Sequence, residues 1–367
     1  METKKAKPQE AFIQLLTGRV KKFHPYGNQG LYTGQCPSCR HQRLVANPSN
    51  GLWKCLDCGI YGNAADLVMR TDLVTYADAL KIVNGQTPEP MPENERIYYE
   101  MNSKAALWFR QQLLGPQGAE AMAYLKKSRQ LTDDTIRKFA LGYAGKSPKG
   151  LLTYIKKQGY TEEQIKASGL FQEGKFGLYD RFYGRVMFPI VDERRRVIGF
   201  GGRILDDDPD KPKYLNSPET GLFHKGHHLF AMNYAKDSKE DYTILCEGYM
   251  DVIALHQAGF DNAFASLGTS LTSYQAMMIA RQAPTCVISY DADAPGMKAA
   301  ARAIPLLRQR DVVTKWVSAA PAKDPDEHIK SFGADSFRKN IAKAQVFDCV
   351  DNKLINEAGQ SIDLSSI

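Results

Sequence analysis

The alternation of apolar and helical segments after residue 242 constrains the fold more than any other feature of the chain. Four short apolar runs, "YTILC", "NAFAS", "TCVISY" and "VVTKWVS", are each followed by a segment with helical spacing or helix-start signals. Strands that alternate with helices form a parallel sheet with helices on both faces. In such sheets, ligands bind beyond the carboxyl ends of the strands. The pattern predicts an α/β domain over residues 241–345 and places a functional site at that edge.

Acidic residues follow three of these four strands. They are Glu247, Asp251, Asp291, Asp293, Asp324 and Asp326. Carboxylates at close range raise one another's pKa unless hard cations lie between them. Oxygen ligands suit Mg²⁺ or Mn²⁺, and two such ions can stabilise the attacking and leaving oxygens of phosphoryl transfer. The alternative role, as helix caps and solvated loop acids, explains any one motif better than it explains three at successive strand ends.

Four of the seven cysteines form two CxxC pairs that are separated by 15 residues. They are Cys36, Cys39, Cys55 and Cys58. Each pair turns two thiolates toward one point, and four thiolates satisfy one tetrahedral Zn²⁺. Disulfides or free thiols are the alternative, and disulfides are rare in cytosolic proteins. The short strand-like segments around the cysteines predict a zinc ribbon with one structural Zn²⁺ within a first domain, residues 1–84.

The remaining segments complete the predicted domain order. Residues 85–96 are rich in proline and polar residues, which predicts a linker. Residues 97–240 combine helices with a β-hairpin at 185–203, which predicts a mixed α+β lobe. Residues 346–367 are expected to form a C-terminal tail. The overall fold class is therefore α/β, or α+β for the chain as a whole, with an N-terminal zinc ribbon.

The charge of the chain is concentrated near its start. Residues 1–60 contain nine Lys or Arg against three Asp or Glu, a net charge of +6 out of the +7 of the whole chain. This excess predicts a polyanionic partner, nucleic acid being the commonest, although a solvated basic tail is the alternative for the first ten residues. The sequence has neither an apolar signal core nor a membrane-spanning run, so a cytoplasmic location is expected.

Several segments resemble a known family. The glutamate after one strand, the DxD motif after a later one and "SLGTS" between them resemble the Toprim domain of primases, topoisomerases and some nucleases. The longer segments "DRFYGRVMFPIVDERRRVIGFGGRIL", "PKYLNSPETGLFHKG" and "EGYMDVIALHQAGF" resemble the catalytic core of bacterial DnaG-type DNA primases. The cysteine pattern resembles the zinc domain of that family in order and spacing.

The resemblance implies a function and a set of roles. The six carboxylates would bind the catalytic Mg²⁺ or Mn²⁺, and the zinc ribbon would bind the template. A basic groove would hold nucleotide phosphates and the template–primer through Arg203, Lys213, Tyr214, Asn216 and Lys225. The implied activity is de novo synthesis of short RNA primers from ribonucleoside triphosphates on single-stranded DNA, with an RNA–DNA hybrid as product. A single-stranded DNA-binding protein is a further candidate partner, and the helicase-docking domain of the family is not expected within these residues.

The sequence also departs from the family, and other functions stay open. Cys39 stands where the family usually has histidine, and "APG" after the DxD motif lacks the usual basic residue and so removes that positive charge. Alternative functions are a Toprim-family nuclease and a single-stranded DNA-binding protein with a decayed active site; the intact carboxylate set argues against decay. For Tyr32 and Trp53 in the ribbon, both stacking on template bases and core packing are open.

Overall fold

The computed structural model describes residues 8–37, 41–57, 61–72, 76–87, 92–206, 208–268, 270–291, 293–350, 353–356, 359 and 361–363. Of residues 69, 70, 76, 77, 94, 350, 362 and 363 it describes the backbone alone. The chain divides into two compact units, Met1–Glu93 and Asn94–Ile367. No helix among the described residues has the length and apolar character needed to cross a membrane.

The described residues of the first unit form a small antiparallel sheet and three helices. Its helices are α1 (Pro8–Thr17), α2 (Ala64–Asp72) and α3 (Tyr76–Val83). Its strands, which pair in chain order, are β1 (His24–Tyr26), β2 (Leu31–Gly34), β3 (Leu44–Asn47), β4 (Leu52–Cys55) and β5 (Tyr61–Gly62). Side chains alternate between the two faces of a strand, so Trp53 and Cys55 of β4 are buried while Leu52 and Lys54 are exposed.

The packing of this unit bears on the two roles left open for Tyr32 and Trp53. Trp53 is 2% exposed and its indole N–H donates to the Asn63 carbonyl at 2.8 Å. Tyr32 is partly buried, and its ring stacks on Phe23 with 5.2 Å between centroids. Core packing is therefore the role of Trp53, and the Tyr32 ring is already stacked within the protein.

The second unit begins with a mixed lobe. Its α-helices are α4 (Glu93–Leu114), α5 (Ala119–Ala123), α6 (Asp133–Lys138), α7 (Gly150–Lys156), α8 (Glu162–Ala167) and α9 (Met232–Ala235). Pro116–Gly118 and Lys225–His227 are 3-10 helices, and Tyr124–Ser128 is a π-helix. Its strands are β6 (Gly142–Tyr143), β7 (Phe171–Gly174), β8 (Gly177–Asp180), β9 (Arg185–Val191), β10 (Val197–Ile204) and β11 (Tyr214–Asn216).

Sequence signals locate several boundaries of this lobe. β9 and β10 form the predicted hairpin in the four-stranded sheet β11-β10-β9-β6. Thr132 accepts the Thr135 N–H at 3.2 Å at the start of α6, a side-chain cap of the expected kind. The predicted linker differs at its end, because α4 begins at Glu93 and its first turn includes the last residues of that segment.

The rest of the second unit is a seven-stranded sheet in the order β13-β12-β14-β15-β16-β17-β18. Its strands are β12 (Tyr242–Cys246), β13 (Ala263–Ala265), β14 (Thr285–Ser289), β15 (Val313–Trp316), β16 (Gln345–Val350), β17 (Lys353–Asn356) and β18 (Ser361–Asp363). Its helices are α10 (Tyr249–Gln257), α11 (Ser273–Ala280), α12 (Ala294–Arg308) and α13 (Pro325–Ala342). The first four strands are parallel, as predicted from the alternation of strands and helices.

The last three strands correct the expectation of a polar tail over residues 346–367. β16 pairs antiparallel with β15, and β17 and β18 continue the sheet outward. The Thr314 hydroxyl donates to the Phe347 carbonyl at 2.7 Å, and Leu354 is fully buried. This segment is polar on average, but its apolar residues pack against α12 and β15 and so extend the domain core.

Candidate active site

Glu247 and Asp291 lie side by side at the carboxyl edge of the parallel strands. β12 and β14 pair with Cys246 opposite Ser289, so the residues that follow these two strands leave the sheet together. The Asp291 backbone N–H donates to Glu247 Oε1 at 3.1 Å. A Cβ atom at Gly296 would lie 2.7 Å from Glu247 Oε1, so only glycine fits at this position of "APG".

Asp251 joins two helix starts beneath this edge. It is the third residue of α10 and only 8% exposed. The Gly248 N–H donates to its Oδ2 at 3.2 Å, and the Asp326 N–H, at the start of α13, donates to its Oδ1 at 3.4 Å. The carboxylate thus connects the starts of α10 and α13.

Asp293 and Asp324 have the capping role that was the alternative for these motifs. Asp293 accepts the Gly296 N–H at 3.0 Å and caps α12. Asp324 accepts the Glu327 N–H at 2.8 Å and caps α13. A cap occupies one oxygen and part of the electron pairs of a carboxylate, so capping is compatible with a second role for both residues.

The electrostatics show that the six carboxylates form one group. Burial raises the pKa of Glu247, and Asp291 and Asp293 raise it further. Burial raises the pKa of Asp251 to about 8, with further contributions from Asp324, Asp291 and Asp326. The structure therefore brings the six predicted acidic residues within electrostatic reach of one another, and burial followed by mutual repulsion raises the pKa of Glu247 and Asp251.

A cation close to the group compensates part of this charge. The Lys323 ammonium lies 3.8 Å from Asp291 Oδ2. Burial and the neighbouring Asp324 raise the pKa of Asp291, whereas Lys323 lowers it. The pKa of Asp291 is raised overall, so the positive charge of Lys323 does not compensate the negative charge of the acidic group.

The fit of a divalent metal is tested by the donor atoms. Among the described residues, no three His, Cys, Asp or Glu side chains are arranged as ligands of a single ion. The acidic group nevertheless offers only oxygen donors, and Asp326 Oδ1 is buried with no hydrogen-bond partner in the described part of the chain. This donor set suits Mg²⁺ or Mn²⁺ in its chemistry, while the ligands are not preassembled around one point.

Two cations that were not predicted from the sequence contact Asp326. Its Oδ2 accepts from Arg129 at 2.5 Å and from Lys330 at 2.8 Å, and its side chain is 3% exposed. Lys330 lies four residues after Asp326 in α13, a spacing that typically brings opposite charges together, so this contact could have been found in the sequence. Arg129 is 197 residues away in the chain and has no such signal.

The predicted basic and polar residues of the groove lie partly within the same region. Asn216 is fixed by two hydrogen bonds: its Nδ2 donates to the Leu267 carbonyl at 2.8 Å, and its Oδ1 accepts from the Tyr249 hydroxyl at 2.7 Å. The Tyr214 ring lies 6.1 Å from that of Tyr249. Burial raises the pKa of Tyr214, and Asp251 is among the charges that act on it. Tyr214 and Asn216 therefore border the acidic group.

The three predicted cations of the groove differ in their surroundings. Arg203 lies in β10 with its guanidinium carbon 4.3 Å from the centroid of the Tyr124 ring, and its Nε is buried with no hydrogen-bond partner from the residues described. Lys213 is exposed and Lys225 is partly buried. Neither lysine forms an ion pair with any residue that the structure describes, so both remain available to an anionic ligand.

The structure describes only half of the predicted zinc site. Cys36 and Cys55 are fully buried in the first unit, and Leu44, the residue that pairs with Cys55, is buried beside them. Cys39 and Cys58 lie outside the described residues. The site of four thiolates therefore stays a prediction.

Comparison with known proteins assigns both parts of the second unit. Residues 108–236 match the family model of the DNA primase catalytic core, N-terminal domain, and residues 244–329 match the Toprim-like model. A crystal structure of the Aquifex aeolicus primase, with its zinc-binding and RNA polymerase domains, is 30% identical. The match covers 93% of this chain and 86% of that one, with a TM-score of 0.68. The chain belongs to the family of DnaG-type bacterial primase catalytic cores.

Other members of this primase family match this chain at similar sequence identity. The structure of the DnaG primase catalytic domain bound to single-stranded DNA is 34% identical, with a TM-score of 0.62, and the match covers 69% of this chain and 80% of that one. The DNA primase of Clostridium acetobutylicum is 36% identical over 98% of this chain. The chain spans 61% of the length of that primase and 49% of the length of the Synechococcus elongatus enzyme.

Proposed function

We propose that this chain synthesises short RNA primers de novo on single-stranded DNA, as a DNA-directed RNA polymerase. The observation that supports this most is the group of six coupled carboxylates at the strand ends of a Toprim-like domain, bordered by Tyr214 and Asn216 of the primase core. An acidic group next to cationic side chains suits a substrate whose phosphates bind metal on one side and Lys or Arg on the other.

The acidic residues would hold Mg²⁺ or Mn²⁺. Bound there, the metal would supply charge stabilisation for the attacking 3′-oxygen and the leaving pyrophosphate. Glu247 and Asp291 are the proposed central ligands because they lie side by side, joined by the hydrogen bond from the Asp291 N–H to the Glu247 carboxylate. Asp293 and Asp324 would contribute the oxygen that capping leaves free, and Asp251 orients the helix starts beneath them.

The basic residues would bind the phosphates of nucleotide and template–primer. Arg203, Lys213 and Lys225 are the proposed cations, each with donor capacity left by its contacts within the described residues. Asn216 is held rigidly by Leu267 and Tyr249, so its role is to fix the loop between β13 and α11 against β11. Charge-assisted hydrogen bonds from the arginine and the two lysines would position a phosphate without specifying a base.

The proposed substrates are ribonucleoside triphosphates and single-stranded DNA, and the product is an RNA–DNA hybrid. A catalytic domain of this family has been solved bound to single-stranded DNA, which supports the template assignment. The first unit would bind template as a zinc ribbon with Cys36, Cys39, Cys55 and Cys58 as ligands. This activity would place the protein in the cytoplasm with its DNA template.

The test is incubation of the protein with single-stranded DNA, labelled ribonucleotides and Mg²⁺ or Mn²⁺. The proposal predicts short labelled RNA that depends on template and metal. Shortened DNA without RNA would instead show a Toprim nuclease. Retained DNA binding with neither product would show a binding protein whose active site has decayed.

A further inference from the structure

We propose that Tyr124 is a positioning residue of the acidic site: its hydroxyl fixes Arg129 against Asp326, and this contact sets how strongly the site attracts divalent metal. The inference deepens the proposed function and rests on it for its biological meaning. It does not depend on it for its test, because metal binding can be measured whether or not RNA is made.

The first step is the backbone from Tyr124 to Arg129, which brings these two side chains to the same side. Residues five apart diverge by about 140° around an α-helix, so Tyr124 and Arg129 would not share a side of one. Tyr124–Ser128 is a π-helix instead, and the Arg129 N–H donates to the Tyr124 carbonyl at 3.0 Å. A π turn places residues five apart on the same side. The wider turn therefore brings the Arg129 guanidinium back over Tyr124.

The second step is the chain of contacts that starts at the Tyr124 hydroxyl. This oxygen accepts from Arg129 Nε at 2.5 Å, and Arg129 Nη1 donates to Asp326 Oδ2 at 2.5 Å. Burial raises the pKa of Tyr124, against the opposing effects of Arg129 and Arg203. The phenol is therefore neutral at physiological pH, and its oxygen acts as the acceptor that holds the guanidinium in one orientation.

The third step is the place of Asp326 in the acidic group. Asp326 is one of the charges that raise the pKa of Asp251, and its backbone N–H donates to that carboxylate. Lys330 joins Asp326 to the same π-helix, since its ammonium also contacts the Ser128 carbonyl at 3.5 Å. Asp326 thus fastens the π-helix to the acidic site, and Arg129 neutralises it there in competition with metal.

The fourth step is the consequence of removing the hydroxyl. Without the Tyr124 oxygen, Arg129 keeps its contact with Asp326 but loses the hydrogen bond that orients it. The guanidinium then neutralises Asp326 less completely, so more negative charge faces a bound metal. Metal affinity should rise in Tyr124→Phe, whereas simple damage to the fold would lower it. The expected change is severalfold and below roughly tenfold, the lower end of what one hydrogen bond to a charged group contributes, because Arg129 keeps its contact with Asp326.

The experiment measures Mn²⁺ binding to the full chain by the loss of the free-ion electron paramagnetic resonance signal. Tyr124→Phe is compared with Tyr143→Phe, whose hydroxyl is buried and has no hydrogen-bond partner among the residues that the structure describes. We expect severalfold tighter Mn²⁺ binding in Tyr124→Phe, within roughly tenfold, and no change in Tyr143→Phe. Unchanged or weaker binding in Tyr124→Phe would overturn the inference.

A double-mutant cycle shows whether Tyr124 acts through Arg129. Arg129→Gln removes the cation, so it should also tighten Mn²⁺ binding, and adding Tyr124→Phe to it should have no further effect. Additive effects of the two changes would contradict the proposed order of contacts. If the unsubstituted protein makes no RNA but the cycle behaves as expected, the proposed function fails and the positioning role stands.

Discussion

Replacing Asp251 by asparagine removes the carboxylate whose pKa burial raises most clearly within the acidic site, to about 8. In the unfolded chain an aspartate has a pKa of 3.8. Between these values the folded protein holds a proton that the unfolded chain releases. In metal-free protein, the stability that this group contributes is fully present below the unfolded pKa and is lost as pH rises through about 8.

The size of the stability loss that Asp251 causes follows from proton linkage. One proton bound only by the folded state changes the free energy of unfolding by about 1.4 kcal/mol for each pH unit. Between pH 6 and pH 8 the loss attributable to Asp251 is therefore up to about 3 kcal/mol. Asparagine keeps an oxygen that can accept from the Gly248 N–H but does not titrate, so Asp251→Asn should remove this part of the slope.

A second buried carboxyl provides the control. Asp180 accepts the Leu151 and Leu152 N–H groups at 2.7 and 2.8 Å, and burial raises its pKa to about 6. Its pH window therefore closes near pH 6, and Asp180→Asn should change the slope only below that pH. The assay is urea denaturation in EDTA from pH 5 to pH 8.5, repeated with Mn²⁺.

The three proteins should differ in how much stability they lose as the pH rises. Unsubstituted protein and Asp180→Asn should both lose stability between pH 6 and pH 8, while Asp251→Asn should lose clearly less. Mn²⁺ should restore most of the loss in the unsubstituted protein, because the cation compensates the ionised group. An equal slope in Asp251→Asn and in the unsubstituted protein would refute the electrostatic reasoning.

Three further predictions concern other parts of the chain. Cys36→Ser should abolish initiation on bare template but leave weak extension of a pre-annealed primer, because a zinc module draws its folding energy from the metal; equal loss in both assays would contradict this. Asn216→Ala should lower the free energy of unfolding by about 1–3 kcal/mol, since the Leu267 carbonyl and Tyr249 hydroxyl lose their partner; calorimetry measures it, and an unchanged melting temperature would count against that contact. Leu354→Ala should cost about 2–5 kcal/mol if the last strands complete the core, whereas a loss near zero in urea denaturation would restore the interpretation of a loose tail.

The parallel half of the sheet could be predicted because its signals are local. Each strand is a short apolar run, and Thr272 with Gln275 forms a capping box at the start of α11, a spacing that the sequence itself displays. Carboxylates that follow neighbouring parallel strands must meet at one edge, so the approximate position of Glu247 and Asp291 also followed from the sequence.

The C-terminal strands could not be predicted in the same way. Leu354 is buried because β17 pairs with β16, and β16 pairs with β15, a partner far away in the chain. Nothing in the composition of a short polar segment indicates such an edge. The same holds for Arg129, which meets Asp326 only through the tertiary fold and through a π-helix that sequence periodicity does not show.

The different surroundings of the six acidic residues could not be predicted from the sequence either. The residue types indicated oxygen ligands, but capping by Asp293 and Asp324 and the ion pairs of Asp326 depend on side-chain placement. Residue type alone does not distinguish the six acidic side chains, whereas in the folded chain each has different hydrogen-bond and ion-pair partners. The six acids therefore differ in the oxygens that they can offer to a metal.

The most direct measurement of the central claim compares primer synthesis by three proteins on one single-stranded template with labelled ribonucleotides and Mn²⁺. These are the unsubstituted chain, Asp291→Asn, and Asp335→Asn as a control, whose side chain is 89% exposed and pairs with Arg338. Template-dependent short RNA should form with the unsubstituted chain and with Asp335→Asn. Asp291→Asn should lose it while its melting temperature is unchanged or raised, because one repelling charge has gone. Full RNA synthesis by Asp291→Asn, or none by the unsubstituted chain, would contradict the assignment of the strand-end acidic group as the polymerase site.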